Sequence, residues 1–379
     1  MTNVRDEVEA VLRAWDAYEV KRGGDPVIDF DLLPGGPEPE PAADRLGVYR
    51  RLAELRGDAE GPVRERVDAD LAYLGALLGE RPPLDAYVRA TQGCGAVGWS
   101  PEYVEERRRI AVAALAEVGV AWGPEANAEL RRVEGPLDVA DAPDAIRGAV
   151  AELEPAVRAL TGSDAPYRLT VETAEVEAYW AFWLDGAGRD VRLRLNLPNV
   201  EFTRAGARQF ALHEVLGHGL QSASLHARAA DAPWVRLLSV HALQQVMLEG
   251  LAQAWPLFVT PDDAILAARI RLDHYVQLVR ARAHLDINAG TPVLDVADRM
   301  RAAVPWWGDD RVAAQLADRG ANPLLRSYLW AYPAGVDWFV SLAEKGGEAT
   351  GNVLRTAYRE PLTPAGLAAL WPEGPRIGG

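Results

Sequence analysis

Two histidines, His213 and His218, bracket Glu214 in the stretch H-E-V-L-G-H. Imidazole nitrogens are good ligands for zinc and its first-row neighbours, and a carboxylate beside the first ligand can act as a general base. The common motif H-E-x-x-H places its histidines four residues apart on one helical face. In a regular α-helix a five-residue spacing turns the second imidazole about 140° away from the first. A π-bulge, which adds one residue to a turn, would bring the two together, and Gly217 lies where this distortion costs least.

A third metal ligand is expected from a later helix, because catalytic zinc usually has three protein ligands and one open position. Glu249 is the candidate, since it stands alone in the apolar helical run V-M-L-E-G-L-A. Burying a lone carboxylate is costly unless it is paired or binds a metal. The sequence therefore predicts one Zn²⁺ per chain, bound by His213, His218 and Glu249. The alternative is an amphipathic helix with two buried structural histidines and a surface glutamate.

The composition argues against several classes of partner. Of the 379 residues, 55 are Asp or Glu and 40 are Lys or Arg, so the net charge of −15 disfavours nucleic acid and anionic membranes as partners. The single cysteine, Cys94, excludes an internal disulfide. The N-terminus is charged and amphipathic, which is typical of neither a signal peptide nor a membrane span, and we expect a cytoplasmic protein. The oligomeric state stays open.

Helical periodicity dominates the chain, and we expect a mainly α fold with a small antiparallel β-sheet that lines the active-site cleft. Residues 1–162 form an N-terminal helical region without chemistry of its own. Residues 163–379 form the metal-binding catalytic region, and both regions belong to one continuous globular unit. Within the second region Thr203 is predicted to cap a metal helix of about 204–226, which is followed by a helix of about 235–256.

The small sheet is predicted directly before the metal helix. Residues 167–171, 178–183 and 191–197 have the aromatic, β-branched or alternating pattern of strands, and residues 185–188 are typical of a turn. An edge strand beside a zinc site can hold the backbone of a peptide by strand addition. The alternative is a structural hairpin that covers the core.

The order of four motifs resembles the bacterial metallopeptidase-like group known as domain-of-unknown-function family 885. That family carries HExxPGHxxQ, EGWAxY, RxxxDTGxH and AxxYxxG, and the corresponding stretches here contain His213, Glu249, Arg282 and Tyr332. The similarity covers roughly residues 165–345, about half of the chain. The first two motifs are specific when taken together, whereas the last two are weak.

This resemblance implies a gluzincin-type fold in which His213, His218 and Glu249 bind the metal and Glu214 is the general base. The chain departs from the family in two ways. The proline of the first motif is missing, which makes the spacing similar to HExxGH of dipeptidyl peptidase III, a zinc exopeptidase. The last histidine of the third motif is replaced by Gly290. The departures indicate a divergent member, whose substrate need not be a peptide.

Three further side chains are candidates for the same site. Tyr332 could donate a hydrogen bond to the oxyanion of the reaction, with a packed aromatic residue as the equal alternative. Arg282 could bind a substrate carboxylate, although an ion pair with Asp286 one helical turn later is the favoured interpretation. Gln253 follows Glu249 by one turn and could hold it by a hydrogen bond.

The sequence thus predicts a zinc-dependent, metallopeptidase-like hydrolase that cleaves an amide bond in a short peptide or peptide-like metabolite. Metal-activated water and the Glu214 carboxylate would carry the reaction. One alternative is a non-haem iron enzyme, oxidative or lyase-type, with the same two histidines and one glutamate. The other is a non-catalytic helical binding scaffold with a vestigial site. The choice between exo- and endo-cleavage does not follow from the sequence.

Overall fold

The computed structural model describes residues 3–35, 38–177, 181–317 and 319–379, and it is mainly helical with one small sheet. The helices that precede the main strands are α1 (Val4–Lys21), α2 (Arg45–Arg56), α3 (Gly61–Leu77), α4 (Leu84–Gln92), α5 (Pro101–Glu117), α6 (Ala126–Val133) and α7 (Ala142–Thr161). Their ends follow ordinary capping chemistry. At the start of α5, for example, the Ser100 hydroxyl accepts a hydrogen bond from the N–H of Tyr103.

The predicted metal helix is continuous but has three parts. These are α8 (Arg204–Phe210), a π-helical segment (Ala211–Gly219) and α9 (Leu220–His226). Thr203 caps it as predicted, because its hydroxyl accepts a hydrogen bond of 2.9 Å from the N–H of Gly206.

The helices after the metal helix are α10 (Gln245–Val259), α11 (Ala264–Asn288), α12 (Val293–Ala303), α13 (Asp309–Leu316), α14 (Leu325–Lys345), α15 (Glu348–Ala357) and α16 (Pro364–Leu370). Helix α10 begins at Gln245 rather than near residue 235, because the preceding stretch enters the sheet as a strand. None of the helices in the described parts of the chain combines the length and the hydrophobicity that crossing a lipid bilayer requires.

The sheet has five strands: β1 (Phe30–Asp31), β2 (Arg168–Ala174), β3 (Phe182–Ala187), β4 (Asp190–Asn196) and β5 (Leu237–Leu238). Their order is β2-β4-β3-β1-β5. The N-terminal region therefore contributes one strand to the sheet, beside strands that come from the predicted catalytic region.

The prediction of an antiparallel sheet was wrong in part, because the sheet is mixed. Strands β3 and β4 form an antiparallel hairpin, but β2 pairs with β4 in parallel, and so does β1 with β3. Strand β4 lies between β2 and β3, and its alternating side chains Val191, Leu193 and Leu195 are all buried. The turn includes Gly188, with φ +59°, and β3 extends into the predicted turn. Residues 178–180 of the predicted strand lie outside the described residues.

The main apolar core surrounds the π-helical segment. It joins Leu212 of that segment to Leu153 of α7 and Leu251 of α10, all nearly inaccessible to solvent. A second apolar cluster connects α1, α2 and α3 to Val235 and Leu237. The division of the chain near residue 162 stays a prediction.

Helices α10 and α14 make their closest contact at Gly250 and Gly335. A Cβ atom on Gly335 would lie 2.1 Å from the carbonyl oxygen of Val246, and one on Gly250 would lie 2.4 Å from the carbonyl carbon of Gly335. Both distances are far below van der Waals contact, so neither position tolerates a side chain without separation of the helices. This contact sets the distance between the site residues that the two helices carry.

We expect Gly335→Ala to lower the free energy of unfolding by about 1–3 kcal/mol, because the added methyl group overpacks the helix contact. Chemical denaturation followed by circular dichroism measures this change. Gly148→Ala on the exposed face of α7 is the matched control, since a Cβ atom there meets nothing within 4 Å. The control should raise stability by about 0.5–1 kcal/mol. Equal stability of the two variants would contradict the close contact.

Candidate metal centre

The π-helical segment brings together the two histidines that a regular helix would separate. Hydrogen bonds from residue i+5 to residue i add one residue to the turn, and the N–H of Leu220 donates in this way to the carbonyl of Val215. The Nε2 atoms of His213 and His218 lie 3.3 Å apart. The predicted π distortion is confirmed, and it extends over the whole motif rather than over a single bulge.

Gly217 permits this wide turn because it has no side chain. A Cβ atom would lie 2.7 Å from the carbonyl oxygen of Leu212 and 3.0 Å from the Cβ of Ala252 on α10. Its φ is not in the left-handed region. Glycine is therefore required here because there is no space for a side chain, not because of the backbone conformation. The absent side chain lets α10 approach the metal helix and carry Glu249 to the histidines.

Glu249 reaches both imidazoles. Its Oε2 atom lies 3.6 Å from the Nε2 of His213 and 3.8 Å from the Nε2 of His218. A tetrahedral ion with bonds of about 2.0–2.2 Å separates its ligand atoms by about 3.3–3.6 Å. The three atoms therefore fit around one zinc-sized ion. The same Oε2 atom is buried and has no hydrogen-bond partner among the described residues. A bound cation would be the missing partner of this oxygen.

Glu214 lies beside the same group. Its Oε1 atom is 3.5 Å from the Nε2 of His213. One ligand atom each from His213, Glu214 and His218 lie within 4.8 Å of one another, and this group could hold a metal ion. Both Glu214 and Glu249 are therefore near enough to supply the carboxylate of a metal site.

Two tyrosines of α14 position Glu249. The hydroxyl of Tyr328 donates a hydrogen bond of 2.5 Å to its Oε1 atom, and the hydroxyl oxygens of Tyr328 and Tyr332 are 2.6 Å apart. Tyr332 was singled out from the sequence, and it lines the cavity described below. The role of Tyr328 was missed, although its position one turn before Tyr332 on the same helical face was a usable signal.

Burial determines the protonation of the group. It lowers the pKa of His218 to about 4, and burial together with the neighbouring imidazole lowers the pKa of His213 well below its usual value. Burial and the charge of Glu249 raise the pKa of Glu214 well above its usual range. Burial also raises the pKa of Glu249 to about 7, against hydrogen bonds from the two α14 tyrosines. Neutral imidazoles are ready to bind a metal, and a cation would reverse the mutual repulsion of the carboxylates.

The group opens into a cavity of about 550 Å³. The aromatic side chains of Phe182 and Trp183 on β3 and of Phe210 on α8 contribute to its wall. Gln253 also lines the cavity, but the hydrogen bond that Glu249 accepts comes from α14. The predicted role of Gln253 as the partner of Glu249 stays a prediction.

Arg282 is not brought to this cavity. It lines a separate cavity of about 430 Å³, and its Nε atom lies 3.0 Å from the Oδ1 of Asp286. The favoured interpretation, an ion pair between Arg282 and Asp286 one helical turn apart, is confirmed. No described residue that lines the first cavity is a lysine or an arginine.

Asp29 is a cavity residue that sequence reasoning missed. It directly precedes β1, and β1 carries it and Phe30 into the cavity wall. No motif or periodicity marks this stretch, because its position depends on pairing with β3 and β5, both far along the chain. The N-terminal region, from which we expected no chemistry, thus contributes a carboxyl group to the cavity.

Comparisons with known proteins inform the fold alone. No family model matches the chain, and no curated protein matches it. Among solved structures it is similar to a "putative lipoprotein" from Colwellia psychrerythraea, with a TM-score of 0.55 and 13% sequence identity. The similarity covers 91% of this chain and 56% of that chain, so this chain spans about half of the length of its structural neighbour. The resemblance to family 885 stays a prediction.

We expect Tyr328→Phe to weaken zinc binding by about 10–100-fold, because a ligand that loses its anchoring hydrogen bond loses its orientation. Competition with a chromophoric chelator measures the affinity. Tyr167→Phe is the matched control, since it removes a similar tyrosine–glutamate hydrogen bond, to Glu154, from a pair that does not line this cavity. Unchanged affinity in Tyr328→Phe would show that Glu249 does not bind the metal.

Proposed function

We propose that this chain is a zinc-dependent hydrolase of the metallopeptidase type, which cleaves an amide bond in a short peptide or peptide-like metabolite. One observation carries the proposal. The Nε2 atoms of His213 and His218 and the Oε2 atom of Glu249 converge with separations of 3.3, 3.6 and 3.8 Å in the wall of a cavity. This donor set and these separations suit a catalytic zinc ion with one open position.

The choice between the two glutamates follows from their contacts. Glu249 faces both imidazoles with an oxygen that has no other partner, while its second oxygen is held by Tyr328. This is the arrangement of an anchored ligand. Glu214 follows His213 in the chain and is left for proton transfer. We therefore assign His213, His218 and Glu249 as ligands and Glu214 as the general base.

A zinc ion bound there would supply an activated water molecule and polarise the substrate carbonyl. The residues of the chain supply the remaining chemistry. The Glu214 carboxylate takes a proton from the attacking water and returns it to the amine that leaves. The pKa of the Tyr332 hydroxyl is raised well above its usual value by burial and by the charge of Glu249, so the hydroxyl stays protonated. Because Tyr328 donates its own proton to Glu249, Tyr332 donates to the Tyr328 oxygen here, and its hydroxyl turns from Tyr328 to donate to the developing oxyanion.

The size and walls of the cavity favour a small substrate with a peptide backbone. A volume of about 550 Å³ lies within the usual range for small-molecule sites and holds a peptide of a few residues. Residues 182–184 of β3 line the cavity, and the pairing of β3 with β1 is limited to Gly186 and Ala187. The open part of this edge could hold a substrate by strand addition.

A non-haem iron enzyme is the second candidate, because two histidines and one carboxylate also suit Fe(II). The second carboxyl group beside the ligands favours hydrolysis. Water activation at zinc uses a general base at that place, and the buried Glu214 carboxyl provides one. Elemental analysis of the purified protein separates the two metals.

We expect Glu214→Gln to lower kcat by about 10²–10⁴-fold, because the attacking water loses its base. The measurement is turnover of a pooled set of di- to tetrapeptides, with products resolved by mass spectrometry. Zinc content should stay at about one ion per chain, since the ligands are intact. The control is Glu152→Gln, an exposed glutamate of α7 that should leave both quantities unchanged. Wild-type turnover in Glu214→Gln would refute the assignment of the base, and loss of zinc would make Glu214 a ligand.

A further inference from the structure

Asp29 is the carboxyl group of the cavity that the proposed reaction does not use. Its Oδ2 atom is shielded from solvent and has no hydrogen-bond partner among the described residues. Burial and the charge of Glu249 raise the pKa of Asp29 to about 7, against the charge of Arg66 and the N–H of Val240. When Asp29 is ionised, a cation or an N–H donor from outside the chain would stabilise this oxygen.

The charges of the cavity favour a cationic ligand. Asp29, Glu214 and Glu249 all line it, and none of the described lining residues is a lysine or an arginine. A carboxylate or phosphate of a ligand would meet only repulsion from these groups, apart from the bound metal.

The sheet places Asp29 at the end of an open strand edge. Strand β1 pairs with β3 through Phe30 opposite Gly186 and Asp31 opposite Ala187, and the chain does not continue this pairing before Phe30. The preceding part of β3, residues 182–185, pairs on its other side with β4. Within the described residues the edge of β3 next to Asp29 is therefore available to another strand, and it forms part of the cavity wall.

The direction of a bound peptide follows from this geometry. A peptide on the open edge would lie in line with β1, with one of its ends beside Asp29. A peptide that ran parallel to β3 would bring its carboxyl end to Asp29, and two carboxylates would repel each other. An antiparallel peptide would bring its amino end there instead. The ammonium group of that end has the charge and the N–H donors that the Asp29 carboxyl group, which lines the cavity, can bind.

We infer that Asp29 binds the free α-ammonium group of a short peptide that lies antiparallel along the open edge of β3. This inference rests on the proposed hydrolase function and narrows it to substrates with a free amino terminus. Asp29 is thus a specificity-determining residue, and the cavity selects peptides by their positive end.

The test compares two sets of di- to tetrapeptides that differ only in the N-terminus, free in one set and acetylated in the other. We expect the zinc-loaded wild-type protein to cleave the free set with a kcat/KM about 30–100-fold higher than that for the acetylated set. Acetylation removes the positive charge of the N-terminus, and a loss of this size is typical when a buried charge pair loses one partner. Asp29→Asn should remove most of this preference, mainly through a higher KM for the peptides with a free N-terminus. Asp25→Asn, an exposed aspartate that does not line the cavity, should behave as the wild type.

A binding measurement separates this inference from the hydrolase proposal. Calorimetry of zinc-loaded Glu214→Gln with trialanine and with N-acetyl-trialanine should show tighter binding of the free peptide, and Asp29→Asn in that background should abolish the difference. If nothing is cleaved but the difference is found, the hydrolase proposal fails and the role of Asp29 stands. Equal or absent binding of the two peptides overturns the inference, as does equal or faster cleavage of the acetylated set. Two bound metal ions in the wild type and one in Asp29→Asn would also overturn it.

Discussion

The site depends on close packing between three helical segments, each of which has a glycine or alanine where it meets its neighbour. Gly217 of the π-helical segment lies against Ala252 of α10, and Gly250 of α10 lies against Gly335 of α14. These contacts leave α10 between the histidines on one side and the tyrosines on the other. Glu249 therefore meets the imidazoles with one oxygen and a tyrosine hydroxyl with the other. Larger side chains at the contacts would separate the groups whose spacing suits a metal ion.

The electrostatics of the cavity follow from the same packing. Burial holds Glu214, Glu249 and Asp29 in a poorly solvated space, where the charge of Glu249 raises the cost of ionising the other two. Such a set of acids is unfavourable in isolation and becomes favourable beside cations. A metal ion would neutralise the acids near the histidines, and a substrate ammonium group would neutralise the one at the sheet. The excess negative charge of the cavity would then be balanced by the metal ion at one end and by the substrate at the other.

Much of the fold and of the metal centre could be predicted from the sequence, because the information is local. The five-residue histidine spacing indicated a distorted helix, and Thr203 marked the start of that helix by capping chemistry. The strand order of the sheet was harder to predict. The parallel pairing of β2 with β4 depends on how several strands pack together, and the sequence of a single strand does not show this. Asp29 was not predictable, because a two-residue strand pairs with partners more than 150 residues away along the chain. Arg282 was considered as a site residue because of a weak motif, but its ion-pair partner, Asp286, lies on the same helix.

We propose that one metal ion lies between the two histidines and Glu249. Anomalous diffraction at the zinc absorption edge, from crystals of the protein grown with zinc, tests it most directly. We predict a single strong peak for an ion bonded to the Nε2 atoms of His213 and His218 and to the Oε2 of Glu249, with Glu214 beside the ion but not bonded to it. Absence of a peak there in zinc-saturated crystals, or zinc bound by other residues, would show that these three side chains do not form a zinc site.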